Sequence, residues 1–368
     1  MKIVIVGGHH SSALPVISYL KQFHKETQLF WIGHKFSAKN DKNPTLEFNE
    51  IISLGIPFYD LKAGKVYKTY DLMRLLRVPF GFLQAFWFLI QIRPQVILSF
   101  GGYLAVPVVV AGWFLGIPSV THEQTVVVGY ANKVIALFAR KVLISWKASA
   151  KYFPKNKVVY TGLPLRTEIT NVSSASFNSE NTLPIIYITA GKTGSHKLNE
   201  IVLQSLPKLL SFANVIHQCG DNSVFNDFMA LDSAYKSVQN TVKGSYYLRK
   251  FVLSNEIGEA FAKSNLVISR AGAHTTSEIL YLCKPTLFIP IPWVSHNEQL
   301  ENALVAKNAG VAEILGEKDL TSDTLVSFIQ KMLTNLAKYT CPDAKDMFVA
   351  NSSEIIVKEC FNAAQKAK

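Results

Sequence analysis

Short apolar runs, each leading into a helical stretch, recur along most of this chain of 368 residues. That alternation is the pattern of parallel sheets covered on both faces, because parallel strands need a crossover and bury both their sides. Strands are predicted at 2–6, 28–32, 96–99, 117–121, 141–145 and 157–160, then at 184–190, 213–217, 239–243, 265–269, 286–290 and 311–314. Residues 171–182, rich in Ser and Asn, separate the two series and have the composition of a solvated connection. The expectation is an α/β chain of two Rossmann-like domains, 1–163 and 164–345, with a final helix in 346–368 returning to the first. Two such domains would face each other across a cleft and take a ligand at the carboxyl ends of their strands.

Composition narrows the partners. Apolar residues make up 49% and charged residues 17%, as in a folded chain, and the net charge of +12 favours an anionic partner. Nucleic acid is disfavoured, because the basic residues form no aromatic-interleaved stripe outside one apolar segment. In that segment, 78–92 is apolar but interrupted by Pro79, Gly81 and two glutamines, short of the ~20 residues a bilayer span needs. With Lys62, Lys65, Lys68, Arg74, Arg77 and Arg93 around it, the segment suits either an anionic membrane surface or a buried interdomain helix. The first apolar run is only four residues long, so it reads as a buried strand and not as a signal sequence. Cys219, Cys283, Cys341 and Cys360 lack metal or disulfide spacing, which fits a reducing cytosol. No Asp-x-Asp run or His/Cys/Asp cluster points to a metal, and no cofactor is implied.

The chemistry gathers at predicted strand ends. Ser269-Arg-Ala-Gly-Ala-His-Thr-Thr-Ser-Glu278 follows a strand and opens a helix whose free N–H groups suit a diphosphate, with Glu278 placed to accept two ribose hydroxyls. Gly191-Lys-Thr-Gly-Ser195 resembles the end of a phosphate loop without its full spacing, leaving Lys192, Arg270 and Arg166 as cations for a leaving diphosphate. Gly7-Gly-His-His-Ser-Ser12 precedes a helix entered through Pro15 and lacks the dinucleotide fingerprint. Gly101-Gly-Tyr103 and His122-Glu-Gln-Thr125 also follow strands, and three adjacent polar groups there read as a site or as a buried hydrogen-bond cluster.

Together with Gly162-Leu-Pro-Leu-Arg166, Ile216-His-Gln218 and Gln299 to Ala303, this set resembles the MurG family from Gly7 to about Ala303. The resemblance implies a GT-B fold. It also implies an inverting, metal-independent transfer of N-acetylglucosamine from its UDP donor to undecaprenyl-diphosphate-linked muramoyl-pentapeptide, at the cytoplasmic face of the plasma membrane as a peripheral enzyme. By position, Glu278 matches the family's ribose glutamate, Gln299 beside Glu298 its sugar contact, Arg166 its donor-side arginine, and Phe251 and Val252 its uracil site. Arg270, Ala273, His274 and Thr275 line the same helix start, and Lys192 the diphosphate loop. Gly7, Gly8, Ser12, Gly102, Tyr103, Gln124 and Thr125 fall on the acceptor side. Ser12 stands where the family has a histidine, Thr125 where it has asparagine, and Lys192 where it has serine. The general base is therefore expected at His10 or His9, with His122 or Glu123 in reserve.

Overall fold

The computed structural model describes residues 1–8, 10–36, 44–63, 72–191, 193–222, 224–294, 297–341, 349 and 351–365, with only the backbone for 72–77. Two units emerge: Met1–Leu165 joined by Val349–Lys368, and Arg166–Phe348. Each is built on one parallel sheet.

The first sheet runs β3-β2-β1-β4-β5-β6-β7, from strands β1 (Lys2–Val6), β2 (Gln28–Gly33), β3 (Phe58–Asp60), β4 (Val96–Ser99), β5 (Ser119–Glu123), β6 (Lys141–Ile144) and β7 (Val158–Tyr160). Alternate side chains of β1 bury on opposite faces. Ile3 and Ile5 pack with helices α1 (His10–Phe23) and α12 (Ser352–Gln365), and Val4 and Val6 with α3 (Leu72–Ile92) and α4 (Ala105–Phe114). Each fully buried side chain of this kind is worth about 1.5–3 kcal/mol, which explains why near-continuous apolar runs become central strands. Helices α2 (Leu46–Ser53) and α5 (Tyr130–Phe138) complete the unit.

The second sheet runs β10-β9-β8-β11-β12-β13, from β8 (Ile185–Thr189), β9 (Asn214–Gln218), β10 (Tyr246–Arg249), β11 (Leu266–Ser269), β12 (Thr286–Phe288) and β13 (Ala312–Ile314). Helices α6 (His196–Phe212), α7 (Asp227–Val238), α8 (Ile257–Lys263), α9 (Ala273–Leu282), α10 (Glu298–Asn308) and α11 (Ser322–Thr334) surround it. In each sheet the strand order reverses once, at β1/β4 and at β8/β11. Ligand sites of open α/β sheets form at the carboxyl side of such reversals.

Three expectations are corrected. The strand predicted at 239–243 is the turn after α7, where Thr241 N–H bonds Val238 O, and the strand starts after Gly244. A Cβ at Gly244 would meet Ala213 O at 2.0 Å, so only glycine admits the chain there. Helix α1 begins at His10, with Pro15 inside it and not at its entrance. The Ser/Asn-rich connection is pinned: Glu259 accepts from Ser174 Oγ, Ser176 N and Phe177 N, and Phe177 is fully buried.

Candidate active site

At the β1/β4 reversal three loops are knitted together by backbone contact. Gly7 has φ +145° and its Cβ would lie 2.9 Å from Phe100 C, so a side chain is excluded. Gly8 N–H bonds Gly101 O at 3.2 Å, and Gly102 N–H bonds Asn132 Oδ1 at 3.0 Å. Asn132 Nδ2 donates in turn to Glu123 Oε2 at 2.6 Å, while Glu123 Oε1 accepts from Thr125 N and Oγ1 at 3.0 and 2.8 Å. Ser12 Oγ donates to Gln124 Oε1, and Gln124 Nε2 to Phe100 O at 3.0 Å.

The His-Glu-Gln run, where a reserve base was expected at His122 or Glu123, forms a buried frame. His122 is fully buried and its Nε2 donates to Gly162 O at 3.0 Å; burial pushes its pKa down to about 4, against the opposing carbonyl bond. Burial pushes the Glu123 carboxyl up, opposed by its bonds from Asn132 and Thr125. Both are spent on holding loops. Ser12 is buried too, whereas Tyr103 is exposed and its hydroxyl lies 3.0 Å from His34 Nε2. His10 retains access to solvent and sits with Nε2 2.8 Å from Glu50 Oε2. His9 lies outside the described residues.

At the β8/β11 reversal the loop after β8 is shaped by Gly191 and Gly194, at φ +76° and +71°. Gln218, at the end of β9, donates to Gly191 O at 2.8 Å and accepts from Val252 N at 2.8 Å. One amide therefore fixes the loop and consumes the Val252 N–H expected for a uracil, leaving its carbonyl and the exposed Phe251 ring on that segment. Lys192 lies outside the described residues.

Arg270 differs from expectation. Its guanidinium is buried, donating to Ile289 O at 3.0 Å and Ser195 Oγ at 2.7 Å, and pairs with Glu317 at 2.5 Å. A charge neutralised in this way holds the α6 entrance. Ala273, His274 and Thr275 form the first turn of α9 after the Gly272 cap, and Glu278 is buried in the next turn. Arg166 grips Glu278 through both carboxylate oxygens. Gln299, beside Glu298 at the start of α10, accepts Ile291 N–H through Oε1 at 3.0 Å.

Sequence reasoning gave no role to Gln218, Glu317 or Glu50. Gln218 was visible as a polar residue ending an apolar strand; the two glutamates carry no local signal.

The glycosyltransferase family 28 N-terminal domain matches residues 6–144 and its C-terminal domain residues 185–357. A UDP-N-acetylglucosamine:N-acetylmuramyl-(pentapeptide) pyrophosphoryl-undecaprenol N-acetylglucosamine transferase of Bacillus cereus is 32% identical, over 96% of this chain and 99% of its own. The chain belongs to the MurG family. Its fold agrees: the crystal structure of Acinetobacter baumannii MurG superposes with a TM-score of 0.73 at 23% identity, covering 98% of this chain and 99% of that one. UDP-GlcNAc 2-epimerase of Neisseria meningitidis, bound to UDP-GlcNAc, shares the architecture at a TM-score of 0.64 and 15% identity, over 98% of this chain and all of its own. The GT-B fold is thus common to more than one chemistry, and it is sequence similarity that separates the MurG family within it.

Proposed function

We propose that this MurG-family chain transfers N-acetylglucosamine from UDP-N-acetylglucosamine to the undecaprenyl-diphosphate muramoyl-pentapeptide, lipid I, giving lipid II with inversion. The observation that carries this is similarity to a curated transferase along 96% of the chain. The second unit holds the donor. Glu278, fixed by Arg166, accepts the ribose hydroxyls; the α9 and α6 N-termini and the 191–195 loop receive the diphosphate; Gln299 addresses the sugar. Phe251 and the Val252 carbonyl serve the uracil. The first unit supplies the base, which we assign to His10 because it retains solvent access where His122, Glu123 and Ser12 are buried.

The acceptor is a membrane lipid, and the first unit carries a surface suited to reach it. Phe80, Leu83, Trp87 and Ile90 recur at helical spacing on α3 and are exposed, Leu83 to 71%. Trp113 and Phe114 end the adjoining α4, and Val134 and Leu137 lie exposed on the next helix, α5. With a chain charge of +12, this apolar face docks peripherally on the anionic cytoplasmic leaflet. No helix among the described residues is long and apolar enough to cross a membrane.

The test is turnover of the purified chain with radiolabelled UDP-N-acetylglucosamine and lipid I. Labelled lipid II is expected. Serine in place of the family histidine at position 12 favours one competing reading, a different polyprenyl-diphosphate acceptor. Transfer to such an acceptor with none to lipid I would establish it.

A further inference from the structure

Helix α2 delivers two carboxylates to the loop that carries His10. It starts at the Thr45 cap, whose Oγ1 accepts Phe48 N–H at 3.2 Å, so the sequence fixes which face Glu47 and Glu50 share. Glu47 Oε1 accepts the Trp31 indole N–H at 2.7 Å, and Gly33 passes so close that a Cβ would meet the same oxygen at 2.0 Å. Burial raises the Glu47 carboxyl, while the indole bond and the nearby His10 lower it. With Glu47 anchored, Glu50 meets His10 at 2.8 Å, the two side chains being 27% and 17% exposed.

The contact is one of ion-pair distance without hydrogen-bond alignment; with its proton on Nε2, beside the carboxylate, His10 would present Nδ1 as its basic nitrogen. We infer that Glu50 is the positioning residue of His10, the pair replacing the function of the histidine that Ser12 has displaced. This rests on the transferase reading with His10 as base. As the acceptor hydroxyl oxygen bonds the anomeric carbon, its proton passes to Nδ1, and the electron pair of the broken carbon–oxygen bond leaves with UDP. The imidazolium keeps Glu50 as counter-ion until its proton returns to water. One feature sets this pair apart from an incidental ion pair between helices: it sits at the first residue of α1, beside the β1/β4 reversal.

The experiment is a double-mutant cycle on the full chain, with UDP affinity measured by calorimetry as the control for folding. His10→Ala should lower kcat by about 10²- to 10⁴-fold. Glu50→Gln should lower kcat by about tenfold, with KM for both substrates unchanged, and Glu50→Asp should recover part of it. In the His10→Ala background, Glu50→Gln should cost nothing more, because its effect runs through the imidazole. Full turnover by His10→Ala overturns the base assignment and the pair with it. A strong loss in His10→Ala beside wild-type kcat in Glu50→Gln, or an equal further loss in the double variant, overturns the pair alone.

Discussion

Arg166 Nε donates to Glu278 Oε1 at 2.6 Å and its Nη2 to Oε2 at 3.0 Å, a two-point grip on a buried carboxylate. Each oxygen keeps a lone pair, so the carboxylate is already oriented to accept from a ligand. Glu278→Ala should weaken UDP binding by about 10- to 100-fold, the loss expected for charged hydrogen bonds. Arg166→Ala should weaken it less, by loosening the same carboxylate. Calorimetric titration of UDP checks both, and unchanged affinity in Glu278→Ala would remove that residue from the donor site.

The two glycines of the 191–195 loop separate backbone strain from steric exclusion. Both have positive φ, but nothing lies within 4 Å of a Cβ at Gly191, whereas one at Gly194 would fall 2.0 Å from Cys219 O. Gly191→Ala should cost about 1–2 kcal/mol of stability, and Gly194→Ala distinctly more, with donor affinity lost as the loop shifts. Urea unfolding of the two variants measures the difference; equal costs would mean that the backbones move apart freely.

Acid should weaken the fold through two buried histidines. Burial lowers His122 from 6.5 to about 4 and His217 from 6.5 to about 3, opposed in the one by the Gly162 carbonyl and in the other by Asp227. Below pH 6.5 the unfolded chain binds protons that the native sites refuse. The stability these neutral rings contribute is therefore whole above pH 6.5 and lost as pH falls toward 4 and 3, at up to about 1.4 kcal/mol per unit for each. Urea midpoints between pH 7.5 and pH 5 should fall, and less steeply in His122→Gln or His217→Gln.

The apolar face of α3 is tested away from catalysis. Leu83→Ser with Trp87→Ser removes two exposed side chains, each worth about 1.5–3 kcal/mol when buried, so binding to phosphatidylglycerol vesicles should drop at least about tenfold. UDP affinity should not change. Undiminished vesicle binding would move the membrane contact elsewhere.

Central strands were legible because a run such as Ile3 to Val6 leaves no solvent-facing side. The three-residue β3 was not, since Phe58, Tyr59 and Asp60 are only partly buried and carry no pattern. The predicted strand at 239–243 is rich in residues that also suit the end of a helix, and the deciding contact, Gly244 against Ala213, is invisible in a linear reading. Site residues show the same division. Spacing placed Glu278 in the helix after β11, and Gln299 was legible only through the family resemblance. The partners that define roles, Arg166 for Glu278 and Gln124 for Ser12, each lie 112 residues away. Arg270 looked like a free cation because Glu317 could not be foreseen beside it.

Helix α12 sets the timetable of the first unit. Ile356, Val357 and Cys360 lie in the same core as Ile3, Ile5 and Leu98, yet the whole second unit is translated between them. While the chain emerges from the ribosome, β1 and β4 wait with one apolar face covered by α1 but not yet by α12, as the second unit is made and folds. The first unit is thus the first to be begun and the last to be finished.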